Sequence, residues 1–408
     1  MAKYTAYGKK VDEYIKKDYL DKIIKSFTND CNPISIILFG GFGKGEGSVQ
    51  IVKGKPVPFN DFDLYVVTGK KLTDEELDKI SMNASKEIGM GGLEVAYFPD
   101  EGYDSNKFFH VDARCIPYDK LSNLMKTQRY YELKYGSQVI YGDETILDRI
   151  NEIKPEEIPN SEGLRNLFNK LHTMLLGLRE DYNDEQKKIR IFWSNKSYMS
   201  ICEALLILDK KFAPTSLERS KIFAEIYKNN FPDLYEKIPD LAEKARKATD
   251  FKLKPNFKIK EHEKIWNETL KDILFVFEYY IKKITGTENV ADAINNRLPY
   301  NYFAPYLEHK IGFNFFPAQY ALNIGYFNIL KKQNETHFAP LFTWKDAGLR
   351  MVLPIYYLLK NKSENDEIYL DKAYEELKKL IKVKRKEFWH LKERALKAYG
   401  LYYEQRLL

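Results

Sequence analysis

One short stretch of this 408-residue chain holds an apolar run, a glycine-dense turn and a pair of alternating carboxylates. Run and turn read Ile34-Ser-Ile-Ile-Leu-Phe-Gly-Gly-Phe-Gly-Lys-Gly-Glu-Gly-Ser48. After a short insert the chain continues Asn60-Asp-Phe-Asp-Leu-Tyr-Val-Val67. A β-rich run that breaks into glycines predicts a strand followed by a turn whose backbone approaches something closely. Alternate residues of a strand point to one face, so Asp61 and Asp63 project together with Phe62 buried behind them. Two carboxylates converging near a glycine-rich turn make a site for a divalent cation and a polyphosphate.

The turn matches neither of the two common phosphate-binding loops. Gly45 follows Gly40 by five residues, but the Lys-Ser/Thr pair of a Walker A loop is replaced by Glu46-Gly47. Neither Gly41-x-Gly43 nor Gly43-x-Gly45 has the third glycine of a dinucleotide fingerprint. Lys44 and Ser48 lie where each could reach a phosphate oxygen. A solvated lysine and a helix-capping serine are the plain alternatives.

The flanks predict what holds this turn. Residues 9–28 carry Val11, Tyr14, Ile15, Leu20, Ile23, Ile24 and Phe27 near helical spacing. Ile34–Phe39 and Phe62–Val67 are strands, with a hairpin or loop over Val49–Pro58. Thr73–Ile88 is a helix with acidic residues in its first turn. Leu93–Phe98 and Phe109–Ile116 are two further strands. After about residue 120 strand signals nearly vanish. Amphipathic stretches follow at 161–182, 195–211, 216–230, 261–285, 317–332, 345–360 and 366–400, punctuated by prolines. The expected fold class is therefore α+β, a small mixed sheet followed by a large all-α region. The expected divisions are 1–150, 151–290 and 291–408.

Composition narrows the partners. Lys+Arg is 65 against 59 Asp+Glu, a surplus that permits a polyanionic partner without demanding one. Three dispersed cysteines suggest neither a disulfide framework nor a zinc site, so a reducing, cytoplasmic setting is expected. The first ten residues lack an apolar signal core, and no stretch of about 18 uncharged apolar residues exists, so no membrane partner is expected. The 30 Tyr and 25 Phe are spread along the whole chain, as core packing requires and a base-stacking platform does not.

Taken together, strand, Gly-Gly-x-Gly-x-Gly-Glu-Gly-Ser and Asp-Phe-Asp resemble the DNA polymerase β-like nucleotidyltransferase superfamily. Gly41-Phe-Gly-Lys-Gly-Glu46 looks most like the branch whose turn reads Gly-Gly-Tyr-Gly-Arg-Gly-Glu, as in PII uridylyltransferase. The resemblance covers roughly residues 33–142 and does not extend over the helical remainder. It implies a metal-dependent enzyme that moves an NMP from an NTP to an acceptor hydroxyl and releases pyrophosphate. It implies two Mg²⁺ (or Mn²⁺) ions per site, held by Asp61, Asp63 and a third carboxylate. Asp112 and Glu94 compete for that third place. Asp112 is preferred because Tyr131-Glu-Leu-Lys-Tyr-Gly-Ser-Gln-Val-Ile-Tyr-Gly-Asp143 after it resembles the close of such catalytic domains. His110 shares its face, and Arg114 is a candidate ion-pair partner for it. Gly40, Gly41, Lys44, Gly47 and Ser48 are the implied nucleotide cradle. Lys196 is the implied triphosphate lysine on a later helix, with Lys170 and Arg165 as weaker candidates.

Three other readings remain open. One is synthesis of cyclic or linear oligonucleotides, or RNA extension, which calls for a basic aromatic stripe; Lys378–Lys392 is the single concentrated run. Another is a toxin–antitoxin component with a HEPN-like ribonuclease domain, for which Arg165-x6-His172 and Arg385-x4-His390 have the spacing. A third is a degenerate nucleotide-binding scaffold, against which the intact turn and carboxylates argue. The acceptor remains open among a protein side chain, a small molecule and an RNA end.

Overall fold

The computed structural model of the chain describes residues 3–59, 61–89, 111–299, 302, 316–335, 337–343 and 345–403. The apolar run forms strand β1 (Ser35–Leu38), buried throughout. The insert is a hairpin of β2 (Val49–Val52) and β3 (Lys55–Pro58). Its two turn residues, Lys53 and Gly54, both have positive φ (48° and 79°), the backbone that matches strand twist in a two-residue hairpin. Strand β4 (Phe62–Thr68) carries the second aspartate. With β5 (Val111–Pro117) and β6 (Gln138–Gly142) it completes a four-stranded sheet of order β5-β4-β1-β6. β4 and β5 run parallel, and β1 is antiparallel to both β4 and β6. The sheet is thus mixed, and the α+β class is observed.

The period of β4 sorts its residues between two cores. Phe62, Leu64 and Val66 join Ile36, Leu38 and Val111 on one face. That face is covered by α1 (Lys9–Ile15), α2 (Asp21–Cys31) and α3 (Asp74–Glu87). A single π-helical stretch, Lys16–Leu20, joins α1 to α2. Tyr65 and Val67 join Ile37, Phe39 and Ile116 on the other face, under Leu133 of α4 (Gln128–Tyr135). Each such side chain buried contributes about 1.5–3 kcal/mol, and a one-residue slip of β4 would reverse every assignment. Asp63 belongs to the second face.

Beyond residue 150 the regular elements among the described residues are helices. The helices that matter here are α5 (Asn160–Leu176), α6 (Asp184–Leu208), α7 (Ser216–Asn230), α8 (Leu241–Leu253) and α9 (His262–Thr285). They are followed by α10 (Phe316–Lys332), α11 (Val352–Glu364), α12 (Glu367–Leu377) and α13 (Phe388–Tyr403). Helix α6 packs on α5, α8 and α9 and is buried around most of its circumference, as a central helix must be. Among the described residues one apolar core runs from Ile153 to Tyr402 and includes Val290, Ala293, Ile294 and Leu298. Phe59 and Tyr131 of the sheet unit are anchored in that same core.

Several expectations change. Residues 366–400 are not one helix but α12 and α13, separated by Lys378–Glu387, where like charges at helical spacing oppose a continuous helix. Strand β6 and helix α8 have no counterpart among the expected elements. β6 is a half-exposed edge strand. α8 buries Leu241, Ala245, Ala248 and Leu253, and its alanines give a faint apolar pattern. Leu93–Phe98, Glu94, Phe109 and His110 lie outside the described residues. Among the described residues, no helix is long and apolar enough to cross a membrane, and Cys31, Cys115 and Cys202 are free thiols.

Candidate active site

Asp63 and Asp112 are direct partners in the parallel β4–β5 ladder. Side chains paired this way share a face, and Asp61, just before β4, is close enough for its charge to act on Asp63. Phe62 points the other way, fully buried against Phe42 (4.4 Å between centroids) and Tyr19 (5.9 Å). Burial raises the Asp63 carboxyl well above the usual carboxylate range, and the charges of Asp61 and Asp112 raise it further. Arg129 and Lys196 oppose that shift in part. The three aspartates therefore lie within electrostatic reach of one another. Among the described residues, however, no three His, Cys, Asp or Glu side chains close into a finished metal cage. The Asp112–Arg114 ion pair allowed by the sequence is also not formed.

The glycine turn lies directly over Asp63. β1 ends, Phe39 N–H donates to the Asp63 carbonyl (2.8 Å), and one helical turn follows over Gly40–Gly43. Gly40 has φ +63°, and a Cβ there would sit 1.9 Å from Asp63 Oδ2, so no other residue fits. Among the described residues the N–H groups of Gly40, Gly41 and Phe42 donate to no backbone carbonyl, whereas those of Gly43, Lys44, Gly45 and Glu46 all close within the turn. Gly47 donates to the Tyr4 carbonyl (2.9 Å), and a Cβ there would strike the Phe42 ring.

Two members of the expected cradle point elsewhere. Lys44 pairs with Glu132 at 3.0 Å, both buried. Ser48 donates its hydroxyl to the Lys252 carbonyl on α8. Each serves the seam between the sheet unit and the helices, and the structure does not bring either to the aspartates. Lys44 and Ser48 are corrected accordingly, from phosphate ligands to interface residues.

The same seam gives Glu46 its place. Its carboxylate accepts from the N–H groups of Ser216 (3.0 Å) and Leu217 (2.7 Å) at the start of α7, and from Lys252 Nζ (3.0 Å). Burial pushes the Glu46 carboxyl up, but Lys252 and the two N–H groups outweigh it and hold the pKa down to about 2. Alongside, Arg219 bridges Glu132 and Glu203. A buried network thus fastens the glycine turn to α4, α6, α7 and α8.

Lys196 projects from α6 across the cleft. Its ammonium lies 4.6 Å from the Phe192 ring centre. The crowding of protein around it lowers its pKa, while Asp61 and then Asp63 pull the other way. On the opposite flank Arg129 donates to Tyr65 Oη (3.4 Å). Burial works against the Arg129 charge, and Tyr65, Asp63 and Asp112 more than offset it. Arg129 was not among the expected site residues, since nothing in its local sequence marks it; the fold of α4 over β4 places it there.

Beside Lys196 is a cavity of about 130 Å³ lined by Phe59, Phe192, Met199 and Phe251, with Ser48, Asn195, Lys196 and Lys252. Phe59 packs edge-on to Phe192 (5.8 Å). Asn195 and Phe251 also line a second cavity of about 860 Å³ between α6, α8 and α9.

The histidines and Arg165 of the ribonuclease reading have other partners in the fold. His172 is buried, stacked on Tyr399 at 3.5 Å, and burial holds its imidazole down to about 3. Arg165 pairs with Glu162 on its own helix (3.2 Å). His390 accepts the Lys384 N–H near the chain's basic segment (3.4 Å).

No family profile matches the chain, and no curated protein matches it by sequence. Among solved structures it is similar to spectinomycin adenyltransferase AAD(9) from Enterococcus faecialis with ATP and spectinomycin. The identity is 16% and the TM-score 0.36, over 66% of this chain and 98% of that one. Both figures are too low for the likeness to bear on activity.

Proposed function

We propose that this chain is a nucleotidyltransferase that moves an NMP from an NTP to an acceptor hydroxyl and releases pyrophosphate. The observation that carries the proposal is the pairing of Asp63 with Asp112, with Asp61 beside them, directly beneath a turn that only glycine can form at position 40. Three mutually repelling carboxylates are costly unless a cation joins them. The all-oxygen donor set suits Mg²⁺ or Mn²⁺, which keep waters and share their sphere with phosphates. Asp61, Asp63 and Asp112 would hold such ions, two per site. When bound, the ions would neutralise charge on the triphosphate.

The chain's own groups account for the rest. The N–H groups of Gly40, Gly41 and Phe42 offer donors to phosphate oxygens. Lys196 and Arg129 bring positive charge to either flank, which lowers the barrier where charge develops. The small aromatic cavity offers a nucleobase an apolar seat next to Lys196. Asp112, on the cleft side of β5, is the group that accepts the acceptor's proton. Positioning and charge neutralisation carry the rate, as phosphoryl chemistry allows.

The test is incubation with each α-labelled NTP in Mg²⁺ or Mn²⁺. Pyrophosphate release with label on the protein, on an added hydroxyl compound or in short oligonucleotides supports the proposal. Absence of pyrophosphate with every NTP and both ions refutes it.

A further inference from the structure

The helical turn over Gly40–Gly43 stops after a single turn. In a continuing helix the Gly43 carbonyl would accept the Gly47 N–H, four residues on. Here the Gly47 N–H donates instead to the Tyr4 carbonyl (2.9 Å). Thr5 bridges to Gly47 in parallel, so residues 3–7 lie where the next turn would have closed. Five of the eight residues from 40 to 47 are glycine. Such a run loses much conformational freedom when it is ordered, and it keeps one shape only where neighbours fix it.

One side chain joins the two parts. Gln138 opens β6 opposite Leu38, the last residue of β1. Its amide carries two N–H donors. One goes to the Gly43 carbonyl (2.7 Å) and the other to the Lys3 carbonyl (2.8 Å). The orphan carbonyl at the end of the turn is thereby capped, and the turn is tied to the segment that accepts from Gly47. That segment is itself anchored. The Asp12 carboxylate on α1 accepts from the Lys3 N–H (2.5 Å), the Thr5 N–H (2.9 Å) and the Thr5 hydroxyl (3.0 Å). Tyr4, Thr5 and Asp12 are all buried. The strand side leaves no slack either, since a Cβ on Gly43 would sit 2.2 Å from the Leu38 carbonyl oxygen. Gly43 is thus fixed by Leu38 and Gln138, and Gly40, three residues back, lies against the Asp63 carboxylate.

We propose that Gln138 is a positioning residue: through the Gly43 carbonyl it sets the glycine turn so that Gly40 stays against Asp63 and the turn meets the phosphates of the NTP. The assignment rests on the nucleotidyl-transfer reading of the same cleft. Gln138 acts through the turn, not on the nucleotide. Without its two donors the Gly43 and Lys3 carbonyls lose the bridge between them, and the turn is free to shift away from residues 3–7. The turn holds the phosphates alike before and during transfer, so the loss falls on binding and not on the chemical step.

Two measurements on the full chain test this, each with two variants. Gln138→Glu keeps the shape and removes the donors, whereas the ammonium of Gln138→Lys keeps donors for both carbonyls. The first measurement is steady-state pyrophosphate release well below the melting temperature. Gln138→Glu should raise KM for the NTP about tenfold, the worth of one or two hydrogen bonds, with kcat within about threefold of wild type. Gln138→Lys should return KM to near the wild-type value. The second is amide hydrogen exchange of the free protein, read by mass spectrometry on the peptide spanning residues 40–47. Its protected amides should exchange about tenfold faster in Gln138→Glu and at the wild-type rate in Gln138→Lys. An unchanged KM in Gln138→Glu overturns the assignment, as do unchanged exchange in that variant and a KM that Gln138→Lys does not rescue. If exchange quickens as expected but the wild type turns over no NTP, the hold of Gln138 on the turn stands and the transfer reading falls.

Discussion

Gly40 and Asp63 are two halves of one contact. A methyl group on residue 40 would overlap the Asp63 carboxylate, and the left-handed backbone adds about 1–2 kcal/mol against any side chain. Gly40→Ala should therefore displace the carboxylate and lower pyrophosphate release about 100-fold, the cost of roughly 1 Å of misplacement. Rates within threefold of wild type would show that the turn does not position Asp63. Asp63 itself should be a destabilising residue. Its folded-state pKa lies above its unfolded value, so its ionisation opposes folding. That penalty is absent below the unfolded pKa of about 3.9 and grows as pH rises toward the folded pKa. Asp63→Asn should melt at a higher temperature than wild type at pH 7, and the two should converge near pH 4. Thermal melts across that range are the check, and a lower Tm for the variant at neutral pH would contradict the account.

At the scale of elements, the sequence disclosed much of the sheet unit and less of what holds it. Strands β1 and β4 were legible because an unbroken apolar run and an alternating one each have a single good placement. The place of Asp63 followed from the strand period, whereas Asp61 precedes β4, and the pairing of Asp63 with Asp112 required only that β5 lie beside β4. Lys44, Glu46 and Ser48 were not legible in the same way. Their partners, Glu132, Ser216 and Lys252, come from elements far along the chain, and no local pattern announces such contacts. Helix α8 was hidden by its alanines, and Lys252 with it. The Glu46 network should act as one unit. Removing one partner of a buried ion pair costs about 3–5 kcal/mol, so Glu46→Gln should lower the calorimetric Tm substantially. Lys252→Met should do the same, and the double variant should fall well short of the sum. Simple additivity would mean that the two do not share a network. Glu46 is depressed in the folded state, so its contribution is complete above the unfolded carboxylate pKa of about 4.3 and is lost as pH falls toward about 2.

Across the whole molecule, a thin mixed sheet presents its carboxylate face to a large helical body, and the seam between them is where ligand chemistry can occur. Phe59 and Tyr131 sink into the helical core, so the two units share packing as well as charge. Under the proposed function, Lys196 on α6 would complete a site that neither unit supplies alone. Lys196→Met should raise KM for the NTP about tenfold or more, the worth of one charge-assisted hydrogen bond, with little change in Tm. An unchanged KM would remove α6 from the site.

The arrangement of three aspartates is the centre of the account. Crystals grown with Mn²⁺ and a non-hydrolysable NTP would report it directly through the anomalous signal of the metal. The expected result is Mn²⁺ between Asp61, Asp63 and Asp112, with the phosphates under Gly40–Phe42 and Lys196 against them. Metal bound away from those three carboxylates, or a nucleotide seated elsewhere in the molecule, would contradict it.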